Sequence, residues 1–275
     1  MTDFLPVSVP AESVPIESRQ FPPAMTVTNL SIRYAGKLAL KNVSLSFAPG
    51  TITAILGPSG CGKSSLLNSL NRLTDLIPSC RVEGQVHLGE LNLYGASTDI
   101  VELRRRVGMI FQRPNLFPLS IRRNLELPLR EHGAGHRQQM AEKIERTLID
   151  VGLWDEVKDR LDRPALTLAG GQQQRLCLAR ALVLDPEILL LDEPCSALDP
   201  LSTTVVENLL VRLKAGRTLI VVTHNISQAR RISDRAAFLW ADGDGGTLIE
   251  EGEAATMLES PQQPLTEAYL KGRVG

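Results

Sequence analysis

The residues Gly57-Pro58-Ser59-Gly60-Cys61-Gly62-Lys63-Ser64 combine three glycines, a lysine and a hydroxyl in the spacing G-x-x-x-x-G-K-[ST]. Glycines let successive backbone N–H groups turn inward as a concave nest for an anion. Thr51–Leu56 before the loop reads as an apolar strand, and Leu66, Leu67, Leu70 and Leu73 after it keep helical spacing. The helix start therefore adds its positive end to the nest. In such a nest Lys63 reaches the β- and γ-phosphates of a nucleotide and the Ser64 hydroxyl binds Mg²⁺. A glycine-rich loop that merely turns the chain is the alternative, and the order strand, loop, helix argues against it. By itself the motif specifies a nucleotide phosphate and no reaction.

Ile188-Leu189-Leu190-Leu191 runs into Asp192-Glu193. Such a strand aims its first carboxylate at a nucleotide's metal, where it can hold a metal-bound water. The second lies off the strand's end, free to act as general base on an attacking water. Many buried strands end in an acidic residue, so the pair gains its meaning from its neighbours. One neighbour is Leu168-Ala169-Gly170-Gly171-Gln172, twenty residues before the strand. Its Gly-Gly pair opens a helix and makes a second anion-receptive end, with a plain helix cap as the alternative.

With the phosphate loop upstream and the carboxylates downstream, Leu168–Gln172 resembles the LSGGQ signature of the ABC ATPases. The resemblance implies an α/β fold, a P-loop NTPase of ABC type: a mostly parallel sheet core, an antiparallel β subdomain and an inserted helical subdomain. It implies ATP and Mg²⁺, with Gly57 to Ser64 and Ser65 around the phosphates and Ser64, Gln112 and Asp192 at the metal. Lys63, Gln112, Glu193 and His224 are its implied catalytic residues. Gln112, ending Met109-Ile110-Phe111, resembles the glutamine that senses Mg²⁺ and water and links to a membrane partner. His224, after the strand Leu219–Val222, resembles the histidine that contacts the γ-phosphate. Tyr34 sits where an aromatic stacks on adenine, and an ordinary half-buried strand tyrosine is an equal reading. Ala169, Gly170, Gly171 and Gln172, with Asp199 of Ser196-Ala197-Leu198-Asp199, resemble the elements that cross to another subunit. The implied assembly is a head-to-tail homodimer, or a pair with a paralogue, sandwiching two ATPs. Two transmembrane permease subunits and an extracytoplasmic solute-binding protein complete it, at the cytoplasmic face of the inner membrane and without nucleic acid.

Closer likeness to the ATPase of bacterial phosphate importers lies in Leu70–Leu73, Asp75–Pro78, Arg81–Gly84, Glu102–Met109, Phe111–Asn115, Gln172–Cys177 and the end Lys271-Gly272-Arg273. Ala169 replaces the signature's serine, which removes a hydroxyl donor, and Cys195 stands where threonine is common. Asn115–Leu119 and Arg122–Pro128, after Gln112, also depart from the pattern. Import of another solute or anion, a regulatory module without turnover, and a non-transport ABC protein are the alternatives.

Several elements must hold these residues. Leu30, Ile32 and Tyr34, then Val43, Leu45 and Phe47, alternate as half-buried strands; Val86 with Leu88 and Leu91 with Leu93 suggest two more, together an antiparallel layer. Ile188–Leu191 and Leu219–Val222 read as strands buried on both faces, separated by helical stretches at Gln172–Leu184 and Thr203–Lys214. That alternation predicts a parallel sheet. Residues from about 113 to 170 interrupt it with helical pattern, predicting the inserted lobe within a domain over 25–275. A strand at Ala236–Trp240, a Gly-rich turn, a strand at Thr247–Glu250 and a helical tail close the chain. Five prolines in residues 1–24 predict an extended or disordered tail.

The 275 residues carry 43% hydrophobic and 22% charged residues and a formal charge of −1, so no global basic field points to nucleic acid. Arg104-Arg105-Arg106 reads as a solvated face. The apolar runs are too short to cross a bilayer. Four widely spaced cysteines without a CxxC pair suit free thiols in a reducing compartment.

Overall fold

The computed structural model describes residues 23–133 and 136–274. The tail expected over 1–24 lies, up to residue 22, outside the described residues. Ten strands follow in chain order: β1 Met25–Tyr34, β2 Lys37–Phe47, β3 Ile52–Leu56, β4 Cys80–Leu88 and β5 Leu91–Asn92, then β6 Val107–Ile110, β7 Ile188–Asp192, β8 Thr218–Val222, β9 Arg235–Ala241 and β10 Gly246–Glu253. The helices are α1 Lys63–Leu70, α2 Ile100–Arg106, α3 Ile121–Glu131, α4 Arg137–Asp150 and α5 Trp154–Val157, then α6 Gly170–Leu182, α7 Pro200–Leu213, α8 Ile226–Ile232, α9 Ala254–Glu259 and α10 Pro264–Leu270.

All strands join one sheet in the order β5-β4-β1-β2-β10-β9-β3-β8-β7-β6. From β9 to β6 the neighbours are parallel, while β5, β4, β1 and β2 form the antiparallel layer. Between them, β10 runs antiparallel to β9 and touches β2 in parallel at Gly246 and Leu40. The continuous apolar runs have a direct cause. Leu189, Leu191, Leu219 and Val221 face a core shared with α6, α7 and the helical segment, whereas Ile188, Leu190, Ile220 and Val222 face a core shared with α1 and the antiparallel layer. Both sheet faces are covered, so alternation disappears.

Helices α3, α4 and α5 fill the stretch between β6 and α6, and its two stems meet at a bridge between Ser120 and Pro164. Helix α7 starts at Pro200, ahead of the expected Thr203, because the Asp199 side chain accepts from the Leu201 and Ser202 amides and Pro200 suits the first turn. Strand β5 stops at Asn92, with Leu93 fully buried beyond it. The basic run departs from the solvated-face reading. Arg104 donates to the Arg72 carbonyl at 2.9 Å, and Arg106 forks onto Glu187 at 2.6 and 3.1 Å. Two of the three arginines therefore tie α2 to α1's exit and to the entrance of β7.

Candidate active site

Strands β3, β8, β7 and β6 are adjacent and parallel, so the loops at their carboxyl ends open on one edge, where parallel α/β sheets hold ligands. Register decides what meets there. Ile55 pairs with Val222, Asp192 with Val222, and Ile110 with Leu191. The phosphate loop, His224, Glu193 and Gln112 follow these four strand ends. Gln112 Nε2 donates to Glu193 Oε2 at 2.8 Å, and His224 Nδ1 lies 2.9 Å from Glu193 Oε1. An ionised carboxylate only accepts, so Nδ1 carries the proton and Nε2 is left for another partner. Glu193 sits in the left-handed region, φ 46°, with its amide donating to the Val222 carbonyl at 2.9 Å. That conformation costs a non-glycine residue about 1–2 kcal/mol. Strain held at a carboxylate fixed on both oxygens is the pattern of a functional position.

In the phosphate loop, buried Lys63 donates to the carbonyls of Gly57 and Pro58 at 2.8 and 2.7 Å. Gly57, at φ 146°, leaves no room for a side chain: an added Cβ would lie 2.2 Å from the Leu239 carbonyl oxygen of β9. Gly62 is the N-cap of α1 in a left-handed conformation, with no side chain capping the helix. The free end of α1 thus offers amides to a polyanion. Exposed Ser64 lies against Asp192, a hydroxyl and a carboxylate that form an oxygen donor set suited to Mg²⁺. The loop and this pair fit a nucleotide polyphosphate with its magnesium.

Burial raises the pKa of Asp192, and Glu193's charge adds to the rise, against the Ser64 hydrogen bond and Lys63. A folded pKa above the unfolded one means that protonation favours folding, so ionised Asp192 lowers stability as pH rises through its folded pKa. Asp192→Asn is therefore expected to raise the melting temperature at pH 7 without nucleotide. It is also expected to abolish the extra stabilisation that Mg²⁺ with ATP gives the wild type. Thermal melts with and without both ligands check this.

The Ala169-Gly170-Gly171-Gln172 turn starts α6. Gln172 Oε1 accepts from the Ala169 amide at 3.1 Å, and its Nε2 donates to Glu156 at 2.6 Å. Gly171 packs on α7, where an added Cβ would meet Ser202 Oγ at 2.5 Å, while Gly170 is exposed with nothing near it. These contacts are with α7 and Glu156, and Gly170 is open to an outside partner. Ala169 occupies the N-cap with φ −65° and ψ 157°, the conformation a capping serine adopts. Ala169→Ser is expected to stabilise the protein by about 1 kcal/mol as a cap. Turnover should rise too if the hydroxyl reaches nucleotide, so a higher melting temperature with an unchanged rate would assign it a capping role only. Tyr34 is half-buried at the end of β1, its ring against the core and its hydroxyl between Ser65 and Cys80. It lies beside the phosphate-loop helix.

A family model described as ABC transporter matches residues 40–196. The chain belongs to the ABC transporter family. It is 55% identical over 251 residues, 91% of each chain, to the phosphate import ATP-binding protein PstB 1 of Nitrosococcus oceani. It is 48% identical to the PstB of Idiomarina loihiensis over 92% of this chain and 91% of the relative. For the PstB of Colwellia psychrerythraea the values are 47%, 92% and 89%. The chain is an ATP-binding, ATP-hydrolysing transport ATPase of the ABC type.

Sequence patterning alone did not single out two supports of the ABC site. Gly246, at the start of β10, packs so close to the phosphate loop that an added Cβ would fall 1.9 Å from the Cys61 carbonyl oxygen. Its only local signal is the Gly245-Gly246 pair. The other is Gln228, whose signal is the cap spacing Asn225-Ile226-Ser227-Gln228.

Proposed function

We propose that the chain energises inorganic phosphate uptake as the ATPase of an importer, working as a head-to-tail dimer at the cytoplasmic face of the inner membrane. The observation that carries the catalytic part is Glu193 bound on both oxygens, by Gln112 and by His224. In this reading residues 25–275 form one ATPase domain with a helical subdomain over about 113–170. Gly57 to Ser65 cradle the phosphates, Lys63 turns its ammonium from the loop carbonyls to the β- and γ-phosphates, and Tyr34 stacks on adenine. Ser64, Asp192 and Gln112 hold Mg²⁺, which supplies charge neutralisation of the phosphates. Glu193 takes the proton of the attacking water while Gln112 orients that water and His224 contacts the γ-phosphate.

Asp199 and the Ala169–Gln172 turn complete the site of a second copy. Leu201 and Val205 support that docking: they lie one turn apart at the start of α7, 81% and 44% exposed, beside Asp199. Among the described residues no helix is long and apolar enough to cross a membrane; in this reading two permease subunits and, outside, a solute-binding protein complete the importer. A cleft of about 380 Å³ between Met109, Phe117, Leu127 and Arg180 offers the permease a seat. Arg180 stacks 4.7 Å over the Phe117 ring and donates to Asn115, which ties that seat to the segment following Gln112. Substrate identity follows the three relatives named above. Purified complex in liposomes loaded with ATP is expected to import labelled phosphate; ATP-dependent uptake of another anion instead would overturn the substrate.

A further inference from the structure

We propose that Gln228 is a positioning residue for hydrolysis, a buried carboxamide that ties the His224 turn to the loop after Glu193 and so sets the geometry of the Glu193–His224 pair. This rests on the reading that Glu193 and His224 serve ATP hydrolysis. Thr223 Oγ1 donates to Gln228 Oε1 at 2.8 Å, with both residues buried. The same hydroxyl accepts from the Asn225 amide at 3.0 Å, and Asn225 Oδ1 accepts from the Gln228 amide at 3.0 Å. These three bonds close a ring around the backbone on both sides of His224, leaving the imidazole itself 62% exposed and held only through Nδ1.

The arrangement resembles a capping box with one member relayed. In the ordinary box the glutamine reaches the N-cap amide directly. Here the Thr223 hydroxyl takes that amide, and Gln228 takes the hydroxyl. Gln228 also faces the loop after β7. It lines the same cleft of about 610 Å³ as Cys195, Ser196, Glu193 and His224. Burial pushes the Cys195 thiol up to about 11, and the Gln228 carboxamide lies beside it in that cleft. Cys195 is two residues after Glu193, so one buried side chain bonded into the His224 turn also borders the loop after Glu193. Arg231 and Glu207, 2.7 Å apart, close the far side of this packing between α8 and α7.

The test uses the full chain with four variants: Gln228→Leu, Thr223→Val, the double variant and Gln228→Glu. Gln228→Leu and Thr223→Val are each expected to lower kcat about tenfold or more, because a misplaced catalytic pair slows the chemical step. The equilibrium Kd for ATP, measured with Glu193→Gln in the background, should stay within about twofold. The double variant should be no slower than the slower single one, the mark of a shared interaction. Gln228→Glu, which keeps the acceptor for Thr223, should recover part of the rate. If Gln228→Leu does not fold, Thr223→Val and Gln228→Glu carry the comparison. Unchanged kcat with only a lower melting temperature would overturn the proposal, as would kcat losses that simply add. Absence of turnover in the wild type would count against the hydrolysis reading instead.

Discussion

Replacing Glu193 with Gln is expected to cut ATP turnover by about 10²–10⁴-fold, the range removed with a general base, while ATP binding persists. The geometry explains why these properties separate. Glutamine has the same length and can occupy the same left-handed position, so the loop after β7 need not move. Its oxygen can still accept from one neighbour, Gln112 or His224, which grip the carboxylate at 2.8 and 2.9 Å. A carboxamide cannot take a proton from water at neutral pH. Lys63, Ser64 and the free end of α1 are untouched, so Kd for ATP should change little. Steady-state turnover and equilibrium binding of labelled ATP check both halves. A rate within about tenfold of the wild type would assign the base elsewhere.

The second large effect is expected at Gly57. An alanine there would force a φ of 146° on a residue with a side chain and place its Cβ 2.2 Å from a β9 carbonyl oxygen and 2.7 Å from Cys61 Sγ. Backbone strain and overpacking together predict a loss of about 2–4 kcal/mol. Part of that loss falls on the loop that Lys63 pins to the Gly57 carbonyl, so ATP affinity should drop with it. Gly60 is the internal control. Its φ of 82° is also left-handed, but nothing lies within 4 Å of an added Cβ. Gly60→Ala should therefore lose only about 1–2 kcal/mol. Equal melting temperatures for the two variants would show that the contact with β9 is not what limits position 57.

Much of this site is legible along the chain because its parts are local. A phosphate loop needs a strand, glycines and a helix in succession, and Thr51–Leu70 supplies them within one stretch. The apolar strands ending at Asp192 and just before His224 are legible for the same reason. Their meeting is not local. Gln112 and Glu193 are 81 residues apart, and only the pairing of β6 with β7 brings them into contact. The inward role of Arg104 and Arg106 was hidden likewise, since their acceptors, the Arg72 carbonyl and Glu187, lie far away in sequence. Gly246 reads as a turn residue until β10 is seen against Cys61. The relayed cap at Gln228 shows only its local half in sequence, and the half facing Cys195 depends on β7 lying beside β8.

The central claim, an ATP site completed across two copies, is tested most directly by complementation. Glu193→Gln removes the proposed base but leaves its own signature turn intact. Gly170→Asp, at an exposed position with nothing within 4 Å, puts a carboxylate on the turn but leaves its own base intact. Each variant alone should be nearly inactive. Mixed in equal amounts before ATP is added, random pairing should restore up to about a quarter of the wild-type rate, because half the dimers hold one intact composite site. A mixture as inactive as its parts, with pairing verified, would contradict the account.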